Sequence, residues 1–552
     1  MIDLAVVEQC LARWLEPSKA AAIFQAARAR WYRRDIDAAV QYVGRLVGRT
    51  DTDWWIYGAG SHTRSLWNHP RFPRGRFRGL IDLRATVLSE KGGWDLPVLG
   101  LEALGGSERL PVLLSHGEFE HNMRRLLLRE GVEPERIFSI YDQDEYGRLA
   151  DMPRATLPQW SGRGLNIAVV SVLPTTIVAA GYWGGCRDRH AVVHFDCTRD
   201  GCRLHPALFR VDCRQSLQHL LQGLEDYRPQ VIYVYDQFNT GNFVALLLKA
   251  VFPQVRVIGE CYDVLRLFFG DPAIMTRQWY WDDTDLEVAL TAEKEGFELL
   301  DGVVFKEDPK AMAGVLPKRA RALHAWPYVM RDELAFAPCV TPAEPARLVW
   351  AGSIIPSSLS PQLFRDGQIL PVLEALAQQG LHLTLIPGCA DESRFEALYP
   401  DYVRFLKAQQ RVSFYPGFPR PELIRFLAGH FDFGLLLNWI PDPGAARKGL
   451  QSTLASKLLT YIAAGLPVIV SQEFGYMARI VAEYGVGIRI PAADVGNVAM
   501  RIRDCDYATL KARVRAMQSM IVTEKHDGRL WRFLTGDARR HDEPGSRSWI
   551  VV

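Results

Sequence analysis

The sequence lacks any marked excess of charge. Its 65 Lys and Arg face 63 Asp and Glu, a formal net charge of +2 over 552 residues. That is too balanced for the basic face that nucleic-acid binding needs, so no nucleic-acid partner is expected. Long apolar runs are also missing. The longest, around Leu458 to Val470, is broken by Gly465 and Pro467 and falls short of the about 20 residues that span a bilayer. Met1-Ile2-Asp3-Leu4 places an acid where a secretory leader carries basic residues, and no apolar core follows. The nine Cys are odd in number and scattered from Cys10 to Cys505, which argues for reduced thiols rather than a disulfide framework. A soluble, cytoplasmic chain is expected.

What is present is core-forming material. Hydrophobic residues make up 48% and charged residues 23%, which excludes disorder and a small disulfide scaffold, and the length suggests about three or four domains. Residues 1–48 show helical periodicity and read as a helical leader. Over 49–150, Trp54-Trp55-Ile56-Tyr57 runs into Gly58-Ala59-Gly60-Ser61-His62-Thr63 and a helical pattern, and the next apolar run ends Gly79-Leu80-Ile81-Asp82. Strand, glycine turn, helix, strand and acid is the order of a dinucleotide-binding βαβ unit. Residues 151–164, rich in Pro and Gly, read as a linker.

A second α/β run covers 165–340, with strands at Leu165–Val170, Gln230–Tyr235, Val255–Glu260 and Asp301–Phe305. After a Pro- and Ala-rich stretch at 338–346, a third covers 346–525, with strands at Arg347–Gly352, Phe433–Leu437, Pro467–Val470 and Gly487–Ile490. Residues 526–552 read as a loosely held polar tail. Short apolar strands alternating with helices imply parallel sheets with helices on both faces. The expected fold class is α/β, with three tandem Rossmann-like domains.

The third unit carries the chemistry. A helix starting near Ser452 or Thr453 presents free N–H groups and a positive dipole end, a site for a phosphate or pyrophosphate group, and Lys457, one turn in, adds a full charge. Gly465-Leu466-Pro467 ends that helix and feeds a strand whose carboxyl end delivers Glu473, Phe474, Gly475 and Tyr476 to the edge where ligands bind in such sheets.

This third segment, with Phe433-Gly434-Leu435-Leu436-Leu437, Ser456-Lys457-Leu458-Leu459-Thr460-Tyr461-Ile462-Ala463-Ala464-Gly465-Leu466-Pro467 and Glu473-Phe474-Gly475, resembles the donor-binding core of retaining, family-4-like glycosyltransferases of the GT-B fold. The resemblance spans roughly 165–520 and implies that the last two domains form a GT-B pair around a donor cleft. It implies donor contacts at Gly352 and Ser353 in the first turn, Gly388, Ser456, Lys457, Thr460, Glu473 and Phe474, with phosphate near the backbone of Gly475 and Tyr476. Where relatives carry two carboxylates, this sequence has Thr460 and, eight residues earlier, Ser452, so an acid for the ribose hydroxyls is missing. The Arg and Lys that usually follow the first turn are absent too; Arg447 and Lys448 are replacements, or else a solvated basic pair. In the second unit, Asp263 of Glu260-Cys261-Tyr262-Asp263 matches an acid that touches substrate in relatives, with a helix N-cap as the other reading. The first unit resembles Rossmann-like modules attached to some sugar acyltransferases and methyltransferases. Gly58, Gly60, Ser61, His62 and Asp82 are its candidate nucleotide contacts, against a purely structural role.

The resemblance implies a glycosyltransferase using a nucleotide-sugar donor such as a UDP- or GDP-sugar, with a glycan, lipid-linked or protein acceptor and no obligatory cofactor or metal. The alternative is a non-catalytic sugar-nucleotide-binding scaffold of the same fold. Cys186, Cys197, Cys202 and Cys213, with His190, His194 and His205, lack the paired short spacings of zinc sites and read as free thiols. The aromatic group Phe268, Phe269, Trp279, Tyr280 and Trp281 offers an acceptor platform or a peripheral contact with the inner face of a membrane, against plain core packing.

Overall fold

The computed structural model describes residues 4–536 apart from 29–35, 84, 92–93, 106–108, 116–119, 141–156, 158–163, 173–177, 179, 199–201, 203, 214–216, 237–240, 269–282, 338–340, 355–368, 389–394, 397–398, 416 and 441–447. Most of the expected linker at 151–164 and most of the aromatic group therefore lie outside the described residues; Leu157 of the linker packs against the core of the second sheet.

Eighteen strands form three sheets in the described residues, and every strand pairing is parallel. The first sheet comprises β1 (Trp54–Tyr57), β2 (Phe77–Ile81), β3 (Val98–Leu99), β4 (Val112–Leu114) and β5 (Ile137–Ser139), in the order β3-β2-β1-β4-β5. The second takes β6 (Asn166–Ser171), β7 (Ala191–Asp196), β8 (Phe209–Asp212), β9 (Val231–Asp236), β10 (Arg256–Cys261), β11 (Gly302–Phe305) and β12 (Ala322–His324), in the order β12-β11-β10-β9-β6-β7-β8. The third has β13 (Arg347–Ala351), β14 (His382–Ile386), β15 (Val412–Phe414), β16 (Phe433–Leu436), β17 (Val468–Ser471) and β18 (Gly487–Ile490), in the order β15-β14-β13-β16-β17-β18.

Each sheet starts in its middle and winds outward first one way and then the other. The chain reverses between β1 and β4, between β6 and β9, and between β13 and β16, which opens a crevice at the carboxyl ends of those strands. The central strands are apolar throughout because helices cover both faces: β9 puts Val231, Ile232, Tyr233, Val234 and Tyr235 in the core, and β17 buries all four of its residues.

Two expectations about the ends of the chain are corrected. The helical leader is not one unit. Its helices Leu4–Ala12 and Pro17–Arg28 bury Val7, Leu11, Ile23 and Phe24 in the core of the second sheet, beside Phe243 and Leu247, whereas helix Ile36–Val47 packs Val40, Val43 and Val47 with Trp54 and Leu66 of the first sheet. The polar tail does not begin at 526. Helix Asp527–Thr535 returns to the second sheet and buries Leu530 and Leu534 among Ile167, Val169 and Tyr233. Trp531 stacks on His190 with 3.9 Å between ring centres. The apolar stripe Leu530, Trp531, Phe533 and Leu534 is what brings that helix back, and it is hidden in composition by the charges around it. No helix among the described residues is long and apolar enough to cross a membrane.

Candidate active site

The carboxyl ends of the second and third sheets meet, and the strand-to-helix turns of both line the junction. In the third sheet, β13 ends at Ala351 and the chain turns at Gly352, whose φ of +145° suits a residue without a side chain. A Cβ there would lie 2.6 Å from Lys457 Cδ, so the lysine stem lies directly on the glycine. The N–H of Gly352 donates to Ile386 O at 2.9 Å, and Ser353 beside it is exposed. Gly388, past the end of β14, is also exposed.

The predicted single helix from Ser452 or Thr453 is corrected to two: Lys448–Ser452 and Ser456–Ala463. The break comes from tertiary contacts. Ser452 O accepts the N–H of Asp308 at 2.8 Å, and Thr453 Oγ1 accepts from Lys306 Nζ at 3.3 Å, so both groups are turned toward the second domain. Helix Ser456–Ala463 starts after Ala455, which supplies no side-chain cap, so the positive end of its dipole faces the break.

Lys457, on the first turn of that helix, is half-buried. Its ammonium sits 3.7 Å from the centre of the Trp350 ring, and burial pushes its pKa down to about 7. An ammonium on an aromatic face, desolvated and easily discharged, is a receptive group for an incoming phosphate. Thr460 Oγ1 donates to Ser456 O at 3.1 Å, so the hydroxyl at the ribose-acid position is engaged within its own helix. Helix Gly475–Tyr484 also opens on the junction without a side-chain cap. A Cβ on Gly475 would come within 3.0 Å of Gln451 O, so the helix start is packed against the end of helix Lys448–Ser452. Phe474 is buried. Glu473 accepts from Ala492 N with both oxygens, at 3.0 and 3.2 Å, and so ties the end of β17 to the turn after β18. Tyr476 reaches across to the second domain: its hydroxyl accepts from Trp326 Nε1 at 3.1 Å and lies 3.1 Å from His324 Nε2. Burial, with Arg529 nearby, pushes the His324 imidazole down to about 3, so it is neutral. Arg447 and the side chain of Lys448 lie outside the described residues.

From the second domain, Asp263 follows β10. Its Oδ1 accepts from Lys306 Nζ at 2.8 Å, and the helix that starts at Leu265 is capped instead by Glu293, whose Oε2 takes the N–H of Leu265. Lys306-Glu307-Asp308 follows β11. Lys306 is 1% exposed; its ammonium is also 3.5 Å from Glu307 Oε1 and 4.5 Å from the centre of the Tyr262 ring. Burial pulls the ammonium down, but the Asp263 and Glu307 carboxylates hold it above its ordinary value. The Glu307 carboxyl is pushed up to about 7 by burial. Asp308 caps the helix beginning at Pro309 and pairs with Arg479 Nη2 of the third domain at 2.5 Å. Lys306, Glu307, Asp308, His324 and Arg479 were not among the expected site residues. Three charged residues directly after an apolar strand were the signal that could have found the first three.

In the first domain, Gly58 turns at φ +105°, where a Cβ would lie 2.9 Å from Ser115 O. Gly60 precedes helix Ser61–Asn68 and supplies no side-chain cap; the side chain of Ser61 lies outside the described residues. Asp82 Oδ2 accepts from Ala59 N at 2.9 Å. Thr63 Oγ1 and His62 Nδ1 lie 2.8 and 3.2 Å from Ser115 Oγ at the reversal between β1 and β4. These residues thus knit the glycine turn to its neighbouring strands. No described cysteine takes part in a disulfide, and Cys197 and Cys213 are buried. The described residues hold no group of His, Cys, Asp and Glu arranged to bind a metal.

Residues 396–527 match the family model of the glucosyltransferase 3-like C-terminal domain. No curated protein matches the chain in sequence. Among solved structures the chain is similar to the glycosyltransferase SnogD from Streptomyces nogalater, at 16% identity over 67% of this chain and 99% of that one, with a TM-score of 0.35. It is similar also to an α,α-trehalose-phosphate synthase (UDP-forming) from Burkholderia xenovorans, solved with glucose-6-phosphate, at 13% identity over 67% and 100%, TM-score 0.42. A third is OtsA in its apo form, at 12% identity over 69% and 100%, TM-score 0.43. The chain thus brings two doubly wound parallel sheets together at their carboxyl ends, and the segment that matches the glucosyltransferase 3-like C-terminal domain, residues 396–527, supplies much of the later of the two.

Proposed function

We propose that the chain transfers a sugar from a nucleoside-diphosphate donor, held by the third domain, to a glycan, lipid-linked or protein acceptor presented by the second, with retention at the anomeric carbon. The observation that carries this reading is the convergence of Gly352, Lys457 and two uncapped helix starts at the carboxyl ends of β13 and β17. Backbone N–H groups and one desolvated cation suit a diphosphate. In the reaction the bond from the anomeric carbon to the diphosphate oxygen breaks and the acceptor oxygen bonds to the same face of that carbon. The acceptor proton passes to the departing phosphate oxygen. The charge that develops on the leaving group falls on the helix ends and Lys457, so the step asks little of a protein acid or base.

Donors screened first are glucose nucleotides, because residues 396–527 match a glucosyltransferase 3-like domain. The acceptor role fits surface-polysaccharide or glycoconjugate assembly in the cytoplasm at the inner face of a membrane. The first domain supplies no step. A second reading, a non-catalytic sugar-nucleotide scaffold, is favoured by one observation: Thr460 and Ser452 stand where relatives carry acids, and the Thr460 hydroxyl is used within its helix. Thermal shift against UDP-, GDP-, CMP- and TDP-sugars, followed by product analysis, tests both. Stabilisation by no nucleotide sugar rejects the two together; stabilisation with neither transfer nor slow donor hydrolysis favours the scaffold.

A further inference from the structure

We propose that Lys306 is a positioning residue for sugar transfer, which sets the entrance of helix Ser456–Ala463 against the acceptor half by holding Thr453, while Asp263 and Glu307 hold its own charge. The inference rests on the glycosyltransferase reading above. Four contacts cross between the domains at one place. Lys306 Nζ donates to Thr453 Oγ1 at 3.3 Å, Asp308 N donates to Ser452 O at 2.8 Å, Arg479 pairs with Asp308, and the Tyr262 hydroxyl bonds to the Ser456 side chain. All four end on, or next to, the break at Ser452–Ala455 or on helix Gly475–Tyr484, the two places that carry the uncapped N–H groups.

Lys306 differs from its neighbours in being wholly buried with a permanent charge. An ammonium so placed needs carboxylates around it, and both that surround it come from the second domain: Asp263 at 2.8 Å and Glu307 at 3.5 Å. Its third direction is spent on a neutral hydroxyl of the other domain. That asymmetry is the mark of a bridge rather than of a simple ion pair. The carboxylates fix the ammonium to one half of the molecule, and the hydrogen bond to Thr453 then fixes the break, and with it the first turn bearing Lys457, at a set distance from the acceptor side. On the reading above the donor is held by the third domain, but alignment of the anomeric carbon with an acceptor oxygen requires both halves in register. Loss of the bridge therefore acts on turnover more than on donor binding.

The test uses the full chain and two substitutions of Thr453, because Lys306→Met strands two buried carboxylates and risks misfolding. Thr453→Val removes only the acceptor atom; Thr453→Ser keeps it. Thr453→Val lowers kcat by about tenfold with donor KM changed by less than about threefold, and Thr453→Ser recovers most of that loss. Amide hydrogen exchange over residues 452–457 rises by about tenfold in Thr453→Val and stays near wild type in Thr453→Ser. An unchanged kcat in Thr453→Val, a Thr453→Ser as slow as Thr453→Val, or exchange that does not rise overturns the positioning role. If the wild-type chain transfers no sugar, the glycosyltransferase reading fails by itself, and exchange alone decides whether Lys306 holds the break.

Discussion

The ammonium of Lys457 rests 3.7 Å from the centre of the Trp350 ring, at the end of a stem that packs on Gly352. No ring can neutralise a full charge as a carboxylate does, so burial pulls the pKa of this lysine down to about 7. A bound diphosphate restores the charge. Donor binding is therefore expected to take up a proton above neutrality, and the donor Kd to rise by roughly tenfold per pH unit from about pH 7 upward. Titration calorimetry in buffers of differing ionisation enthalpy measures the uptake. Equal heats in all buffers at pH 8 would contradict it.

The same group carries a stability consequence of opposite sense to its function. A lysine whose folded pKa lies below its unfolded value costs stability; the cost is full below about pH 7, where the folded state must carry the desolvated charge, and fades as pH rises toward the unfolded value. Lys457→Met is expected to raise stability by on the order of 1 kcal/mol at pH 6 while abolishing donor binding. Thermal midpoints with and without nucleotide sugar, at pH 6 and pH 9, separate the two effects.

Gly352→Ala is expected to be severe for its size. The residue sits at φ +145° with Lys457 Cδ 2.6 Å from where the methyl would go. The strain costs about 1–3 kcal/mol, and the lysine must leave the Trp350 ring to make room. Donor binding should fall at least about tenfold. A variant that binds donor like wild type would show that the lysine stem need not lie on this turn.

Glu307 predicts a pH dependence of folding that runs the other way from acid denaturation. Its folded pKa, pushed up to about 7 by burial, exceeds that of an unfolded Glu. The protonated form is thus favoured by folding, and stability declines as pH rises from about 5 to about 7 before levelling. Glu307→Gln should flatten that part of the curve, as read by urea midpoints at pH 5 and pH 8. A wild type more stable at pH 8 in which Gln at 307 changes nothing would refute the assignment.

Tyr476→Phe removes a hydroxyl that takes the Trp326 Nε1 hydrogen bond and faces His324. Both partners are buried, Trp326 among core residues of the third sheet, so the loss is expected to be about 1–3 kcal/mol and to fall on the contact between domains. Limited proteolysis near residues 335–346 is expected to quicken while the far-ultraviolet spectrum stays unchanged.

Much of the fold could be read from the sequence because buried parallel strands are short apolar runs. β1, β6, β9, β10, β11, β13, β16 and β17 stand where those runs placed them. β7 was not recognised, since its His194 and Asp196 look polar in isolation; in the structure His194 meets Ser171 Oγ at 2.6 Å and Asp196 is satisfied by Thr198, Cys202 N and Arg210. β8 and β12 are short edge elements with no run to show. The break before Ser456 has no local cause, because helical spacing continues through it; it is imposed by Lys306 and Asp308 from nearly 150 residues away. For the same reason Asp263 was noticed but its partner was not. Local patterns report which face of an element is buried; they do not report which charge will be waiting on the other side.

The return of helix Asp527–Thr535 to the second sheet has a consequence for synthesis. Until residues 527–535 are made, the half of the molecule that begins near Asn166 exposes the apolar surface around Ile167, Val169 and Tyr233 that Leu530 and Leu534 later cover. Domains usually fold in the order in which they leave the ribosome. Here the earlier of the paired domains is finished only after the later one, so the emerging chain carries a sticky, incomplete sheet through the whole translation of its partner.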